Sequence, residues 1–273
     1  MYICFALIAN SARIMGYDVI ILLIVSGIAV GIINTLAGGG SIITMTVFMV
    51  LGLPITVANG TNRIAVLLQN LTATVTFIRK RMLDIKSGLL LSIPVIIGNI
   101  AGSLVATHID ERVFKICFAV VLFIILMYMI FDNHKRFHGG QRMEIKPQHY
   151  LWFLLIGFYS GYIYIGLGYL ILAISLWSMK LDIITANVIK GFVIFIATHF
   201  ALIIFMLHGH VDYYYGLLHG AGNMIGAYMA SHWFVGWGGR FVKIFTTIIV
   251  MICFADLVGL LSLHDIFSAM LNR

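Results

Sequence analysis

The sequence predicts an all-α integral membrane protein, a polytopic helical bundle of about 8–10 membrane segments arranged as two repeats. Three observations carry this. Hydrophobic residues make up 62% of the chain and charged residues only 10%, with a mean hydropathy of +1.06, whereas soluble chains run near ~25% charged. The apolar runs have membrane length and are broken by short charged or glycine-containing stretches, which suits helices because lipid offers no partner to an open backbone. Residues of matching type also recur at one fixed spacing through the chain, the mark of an internal repeat.

Residues 1–18 form a mixed lead-in whose charges are Arg13 and Asp18. Without a basic flank before the first apolar run, no cleavable signal peptide is expected. The first repeat spans 19–131. Val19 to Ala37 is long enough to cross and ends in Gly38-Gly39-Gly40-Ser41. Ile42 to Leu51, closed by Gly52-Leu53-Pro54, covers only ~15 Å as a helix, so it is a broken or short helix, a re-entrant arm, or a tilted crossing. Ile55 to Ile78 follows and ends in Arg79-Lys80-Arg81. In the next span, Gly88 to Thr107, Pro94 predicts a kink, and Gly98, Gly102 and Ala106 form a small-residue ladder for close helix contact. Val113 to Phe131 completes the repeat. Residues 132–149, with Lys135, Arg136, Arg142 and Lys146, read as a cytoplasmic hinge loop. The second repeat spans 150–262, and 263–273 is a tail.

Asp84 and Asp212 stand 128 positions apart (212 − 84). At the same spacing Gly38 pairs with Gly166, Gly40 with Gly168, Ala58-Asn59 with Ala186-Asn187, Gly88 with Gly216, Gly98 with Gly226, Arg112 with Arg240 and Lys115 with Lys243. The repeat is read without gaps. Charge then orients the halves. Arg79-Lys80-Arg81 with Lys86 marks a cytoplasmic loop, while its counterpart, His208 to Asp212, has no lysine or arginine. Arg240 and Lys243 reverse the bias at the other end. Equivalent loops on opposite sides imply an inverted-topology 5+5 arrangement with both termini outside. The alternative is a parallel 4+4 repeat with re-entrant arms.

The net charge of +7 sits mainly between apolar runs, where it sets orientation, so the lipid bilayer is a partner and nucleic acid is not. Cys4, Cys117 and Cys253 are isolated and read as small core residues. Within the spans, Arg63 lies roughly 12 Å along its helix, a depth that is costly unless the charge is paired or reaches an interface. Asn59, Asn62, Arg63, Val66 and Asn70 share one helical face. The shifted positions Asn187, Lys190, Gly191, Ile194 and Thr198 share another, and neither stretch contains an acid. A small anionic substrate held by Arg63 and Lys190, with Asn59, Thr61, Asn62 and Asn187 as hydrogen-bonding neighbours, accounts for the pattern. The competing reading is two cations that snorkel to helix ends. Gly38, Gly39, Gly40, Gly166 and Gly168 at helix breaks would expose backbone N–H groups to the anion, or else serve only tight packing. His199 is a coupling candidate, set against a plain structural hydrogen bond. His208, His210 and His219 lack an accompanying cluster, so no metal is expected. Asp84 and Asp212 read as helix N-caps. Since no nucleophile, metal motif or nucleotide loop is recognisable, neither an enzyme nor a cofactor is expected.

Gly38-Gly39-Gly40 with Gly52-Leu53-Pro54, Ala58-Asn59-Gly60-Thr61-Asn62-Arg63, Asp84, and Ala186-Asn187 with Lys190 together resemble the sulfite exporter TauE/SafE family over roughly residues 31–260. The resemblance implies a multi-pass transporter of the bacterial inner membrane for small sulfur-containing anions such as sulfite or organosulfonates. The second-half motif is thinned to Gly166-Leu167-Gly168, and Tyr159, Tyr162, Tyr164 and Tyr169 crowd it. An anion channel would use the same cations. A membrane scaffold or lipid-acting enzyme would show no solute flux.

Overall fold

The computed structural model describes residues 16–36, 38–110, 112, 113, 116, 117, 120 and 145–234, and among these it is helical with no strand. The order is α1 (Tyr17–Leu36), α2 (Ser41–Val50), α3 (Ile55–Arg79), α4 (Ile85–His108), α5 (Pro147–Tyr162), α6 (Leu167–Trp177), α7 (Ile183–Leu207) and α8 (Tyr213–Met229), followed by a π-helical turn at Ala230–Phe234. Most of the lead-in, most of the Val113–Phe131 span, most of the hinge loop, and the chain from 235 onward with Arg240 and Lys243 lie outside the described residues.

Tyr17–Leu36, Ile85–His108 and Ile184–Leu207 are long and apolar enough to cross a membrane. α3 has 25 residues but spends its buried face on Asn59, Thr61, Asn62, Arg63, Gln69 and Asn70. The outside of the bundle is apolar instead: Ile93, Ile97, Leu155 and Ile203 are each more than half exposed. Polar groups inside and large aliphatic groups outside are the distribution a lipid solvent selects.

The helix ends follow local chemistry. α1 stops before Gly38, whose φ of +91° suits a residue without Cβ, and Gly38 N donates to Ile33 O (3.2 Å). α2 has no cap of its own, so Asn34 on α1 supplies one, its Oδ1 accepting from Ser41 N (3.2 Å). Asp84 and Asp212 cap α4 and α8 by accepting from Ser87 N and Tyr215 N, as expected. Asp182, which sequence reading missed, caps α7 through Ile184 N and Thr185 N, both 3.0 Å. Asp182→Ala should lower stability by about 1 kcal/mol, read as a lower thermal unfolding midpoint in detergent, whereas Asp182→Asn should recover most of it. The Ser87 hydroxyl and amide hold the Asp84 carboxyl below the usual carboxylate range. This contribution is therefore present above the unfolded pKa of about 4 and is lost as pH falls through the lower folded value. The hinge loop was expected to run to residue 149. α5 in fact begins at Pro147, because proline fits the first helical turn and His149 Nδ1 accepts from Lys146 N (3.0 Å). Pro94 lies inside α4 without ending the helix.

Glycine contacts set the packing. A Cβ on Gly98 or Gly102 would meet Leu154 O or Phe158 O at 2.1 and 2.0 Å, and one on Gly222 or Gly226 would meet Ile24 O or Ile28 O at 2.3 and 2.1 Å. Thus α4 lies parallel against α5, and α8 parallel against α1, at distances only glycine allows. Gly60 and Arg63 on α3 lie by Phe205 on α7, while Gly191 on α7 lies by Asn70 and Phe77 on α3. α3 and α7 therefore run antiparallel.

Candidate functional site: two buried cations at broken helices

Arg63 is fully buried, and its head reaches from α3 to the last turn of α5. Nη1 donates to Ser160 O (2.6 Å), and Nη2 donates to Gly161 O (3.0 Å) and Asn59 Oδ1 (3.4 Å). The guanidinium also lies over the rings of Tyr164 and Phe205, 5.0 and 5.3 Å from their centroids. Its Nε has no hydrogen-bond partner among the described residues. Asn59 braces the same helix end, Nδ2 donating to Tyr162 O (3.0 Å).

Lys190 is equally buried and reaches from α7 to the last turn of α1. Its Nζ donates to Asn34 O (3.0 Å), Thr35 O (3.2 Å) and Asn187 Oδ1 (2.6 Å). Thus Arg63 and Asn59 on α3 grip the carbonyl end of α5, and Lys190 on α7, steadied by Asn187, grips the carbonyl end of α1. Those carbonyls carry the negative end of the helix dipole, which is why a cation suits them. All these partners are neutral oxygens, so among the described residues neither charge is cancelled by a carboxylate.

The remaining predicted residues take varied positions. Asn62, the 128-position counterpart of Lys190, is wholly buried, and neither polar atom of its side chain has a hydrogen-bond partner among the described residues. Thr61 points away from the cations, its Oγ1 accepting from Asp212 N (2.9 Å). The glycine motifs lie against each other: a Cβ on Gly38 would sit 2.3 Å from Gly168 Cα, and the reverse distance is the same. Gly39 faces the Tyr169 ring, and Gly40 faces Val30 O and the Asn34 side chain. Gly166 starts α6 with φ +67°. His199 stays apart, half-buried, with Nδ1 against Phe195 O (2.8 Å) and its ring edge-on to Phe195. No group of His, Cys, Asp or Glu able to hold a metal occurs among the described residues.

Sequence reasoning missed Asn34, whose Nδ2 also donates to Ser41 Oγ (3.2 Å) and Gln69 Oε1 (3.1 Å). A single amide in an otherwise apolar span was the available signal. It also missed the aromatic cover on Arg63 and the complete burial of His219.

The profile of the family described as "Sulfite exporter TauE/SafE" matches residues 23–257. The chain is 25% identical over 221 residues to a protein described as a probable membrane transporter from Haemophilus influenzae, covering 80% of this chain and 86% of that one. It is 26% identical over 233 residues to a similarly described protein of Sinorhizobium sp, with 84% and 88% covered. It is 23% identical over 236 residues to YfcA of Escherichia coli, described in the same way, with 83% and 85% covered. No solved structure matches the chain. The family match over most of the sequence, the transporter relatives and the apolar helices agree: this chain belongs to the sulfite exporter TauE/SafE family, as a membrane transporter and not an enzyme.

Proposed function

We propose that this chain carries small oxyanions, sulfur-containing ones such as sulfite or organosulfonates, across the bacterial inner membrane by alternating access of two inverted repeats. One observation carries the reading: two fully buried cations at helix breaks, whose hydrogen-bond acceptors among the described residues are all neutral oxygens. Burying a charge costs on the order of several kcal/mol, and an apolar bundle with two unneutralised cations gains most from an anion.

The mechanism follows from what the cations now hold. An oxyanion adds a full Coulomb attraction that a neutral carbonyl lacks, so an entering oxyanion displaces the Ser160 and Gly161 carbonyls from Arg63, or those of Asn34 and Thr35 from Lys190. Releasing a helix end on binding links occupancy to movement of α5 or α1. Asn62 and Arg63 Nε, which have no hydrogen-bond partner among the described residues, are donors available to the anion. The helix-break glycines would then provide the surface on which the halves move.

Recurring contacts support the repeat. Gly88 lies against Phe192 as Gly216 lies against Ile64, each position shifted by 128. The antiparallel run of the equivalents α3 and α7 favours the inverted arrangement over the parallel one. The gapless reading needs one amendment. α1 and α5 end at Leu36 and Tyr162, 126 apart (162 − 36). Gly38 and Gly166 are 128 apart, so the second half carries two extra residues before its glycine. One of the three residues at 163–165 is Tyr164, the ring on Arg63. That makes the two cation sites unequal.

The test is a panel of radiolabelled sulfite, methanesulfonate and sulfate in proteoliposomes. The expected result is saturable flux of at least one, stimulated by the same anion on the far side. Flux without such counterflow would indicate a channel, and no flux of any anion would overturn the proposal.

A further inference from the structure

We propose that His219 is the proton-binding residue of the transport cycle, an inference that rests on the anion-transport reading above. His219 lies on α8 and is 0% exposed, its ring edge-on to Phe48 on α2 with centroids 5.3 Å apart. Its Nδ1 is 3.0 Å from Leu23 O. A carbonyl only accepts, so Nδ1 carries the hydrogen. Ser26 Oγ, 3.3 Å from Nδ1, spends its own proton on Leu22 O (2.6 Å). Nε2 therefore presents its lone pair, accepting from Thr44 Oγ1 at 3.0 Å. That lone pair is the proton site.

A proton at Nε2 turns an acceptor into a donor, so the Thr44 hydroxyl must reverse. Thr44 then sends its own hydrogen elsewhere, and the carbonyl one turn back, Gly40 O, is the usual outlet for a threonine within a helix. Thr44 and Ser41 share a face of the first turn of α2. Ser41 is held by Asn34, and the Asn34 carbonyl is held by Lys190. The proton site and one cation clamp thus act on the same short helix, directly after the first glycine motif. Asn223, one turn along α8 on the same face, is 0% exposed, neither of its polar side-chain atoms has a hydrogen-bond partner among the described residues, and its dipole can turn toward a charged ring. At the positions 128 earlier stand Leu91 and Val95, both buried, so only one half has this feature.

Elements packed on α8 carry few ionisable groups: Tyr17 and Asp18 at the start of α1, Arg63 and Arg79 on α3, Lys80 beyond it, and His232 in the π turn. On α8 itself Tyr213, Tyr214, Tyr215 and Tyr228 are the others, and Tyr215 shares only the Phe48 ring with His219. None is a hydrogen-bond or ring partner of His219 among the described residues. Protonation therefore adds a third positive charge to a core that already holds Arg63 and Lys190. It is least costly when the anion is bound, and linkage makes the effect reciprocal, so proton and anion favour each other.

Two measurements decide it. In lipid nanodiscs with ring-labelled histidine, the His219 signal is identified by its loss in His219→Gln. It should pass from the neutral Nδ1–H form to the doubly protonated form as pH falls from neutral into the acid range, and at a higher pH with methanesulfonate present than without it. A ring that stays neutral throughout overturns the proposal, whatever the anion. In proteoliposomes the probe is methanesulfonate, which remains ionised across this range. An imposed pH gradient should drive its accumulation in the native protein, and His219→Gln should lose that accumulation while retaining exchange at equal pH. Unchanged accumulation, or loss of exchange together with accumulation in a folded variant, overturns the coupling role. Failure of the native protein to move any tested anion overturns the transport reading instead, and the nanodisc titration still decides the proton site.

Discussion

Arg63→Ala is expected to abolish anion flux and to lower stability at the same time, with the protein still inserted and folded. The charge is the larger part of the functional loss, because a short side chain offers the anion nothing in a bundle whose other central cation, Lys190, sits on the opposite clamp. The stability loss has a separate origin. Ser160 O loses its charged donor, and a buried carbonyl left without one costs about 1–3 kcal/mol. Contacts with the Tyr164 and Phe205 rings add up to about 2 kcal/mol when desolvated. Relief from burying a charge offsets part of this, so the thermal midpoint should fall without the fold collapsing. Arg63→Lys separates the two effects. It keeps the charge but loses the planar fork that spans Ser160 and Gly161, so it should restore much of the stability and only a fraction of the flux. Initial rates of sulfite and methanesulfonate entry into proteoliposomes, beside unfolding curves in detergent, read both. Native flux in Arg63→Ala would remove Arg63 from the site.

Those same residues show how far the sequence could be read. That Arg63 and Lys190 are deep, share a face with asparagines and lack acidic partners was legible, because side-chain type and helical period encode it. What each cation grips was not. The partners are backbone carbonyls of Ser160, Gly161, Asn34 and Thr35, a group every residue carries, so no residue type marks them. Asp84 and Asp212 were readable as caps because aspartate at a helix start has one usual use. Asp182 was passed over, although it has the same chemistry. The longer break before Gly166, three residues against the one before Gly38, was hidden because Tyr162-Ile163-Tyr164-Ile165 looks like more of the same apolar span. Only the helix end at Tyr162 separates it. His219 was taken with the loop histidines, and its depth emerges only once α8 is laid against α1 and α2.

The glycine motifs allow a second large effect to be resolved into its causes. Gly38 and Gly52 both have φ +91°, a conformation that costs a residue with Cβ roughly 1–2 kcal/mol. A Cβ at Gly52 meets nothing within 4 Å, whereas one at Gly38 would lie 2.3 Å from Gly168 Cα and 2.8 Å from Gly168 C. Gly168 is inside α6 and carries no positive φ, yet its own Cβ would lie 2.3 Å from Gly38 Cα. Gly52→Ala therefore isolates backbone strain, Gly168→Ala isolates the collision, and Gly38→Ala combines them. Backbone cannot yield as a side-chain tip does, and overpacking of this kind costs about 1–3 kcal/mol or more. The expected order of thermal midpoints is native, then Gly52→Ala, then Gly168→Ala, with Gly38→Ala lowest. Function should separate more sharply than stability. Gly52 is at the far end of α2, so its variant should transport at nearly the native rate. Gly168→Ala wedges apart the two helix breaks where their backbones meet, and flux should be lost even where the protein survives in the membrane. If Gly168→Ala transports normally, the meeting of the two glycine motifs is incidental packing, and the halves move on some other surface.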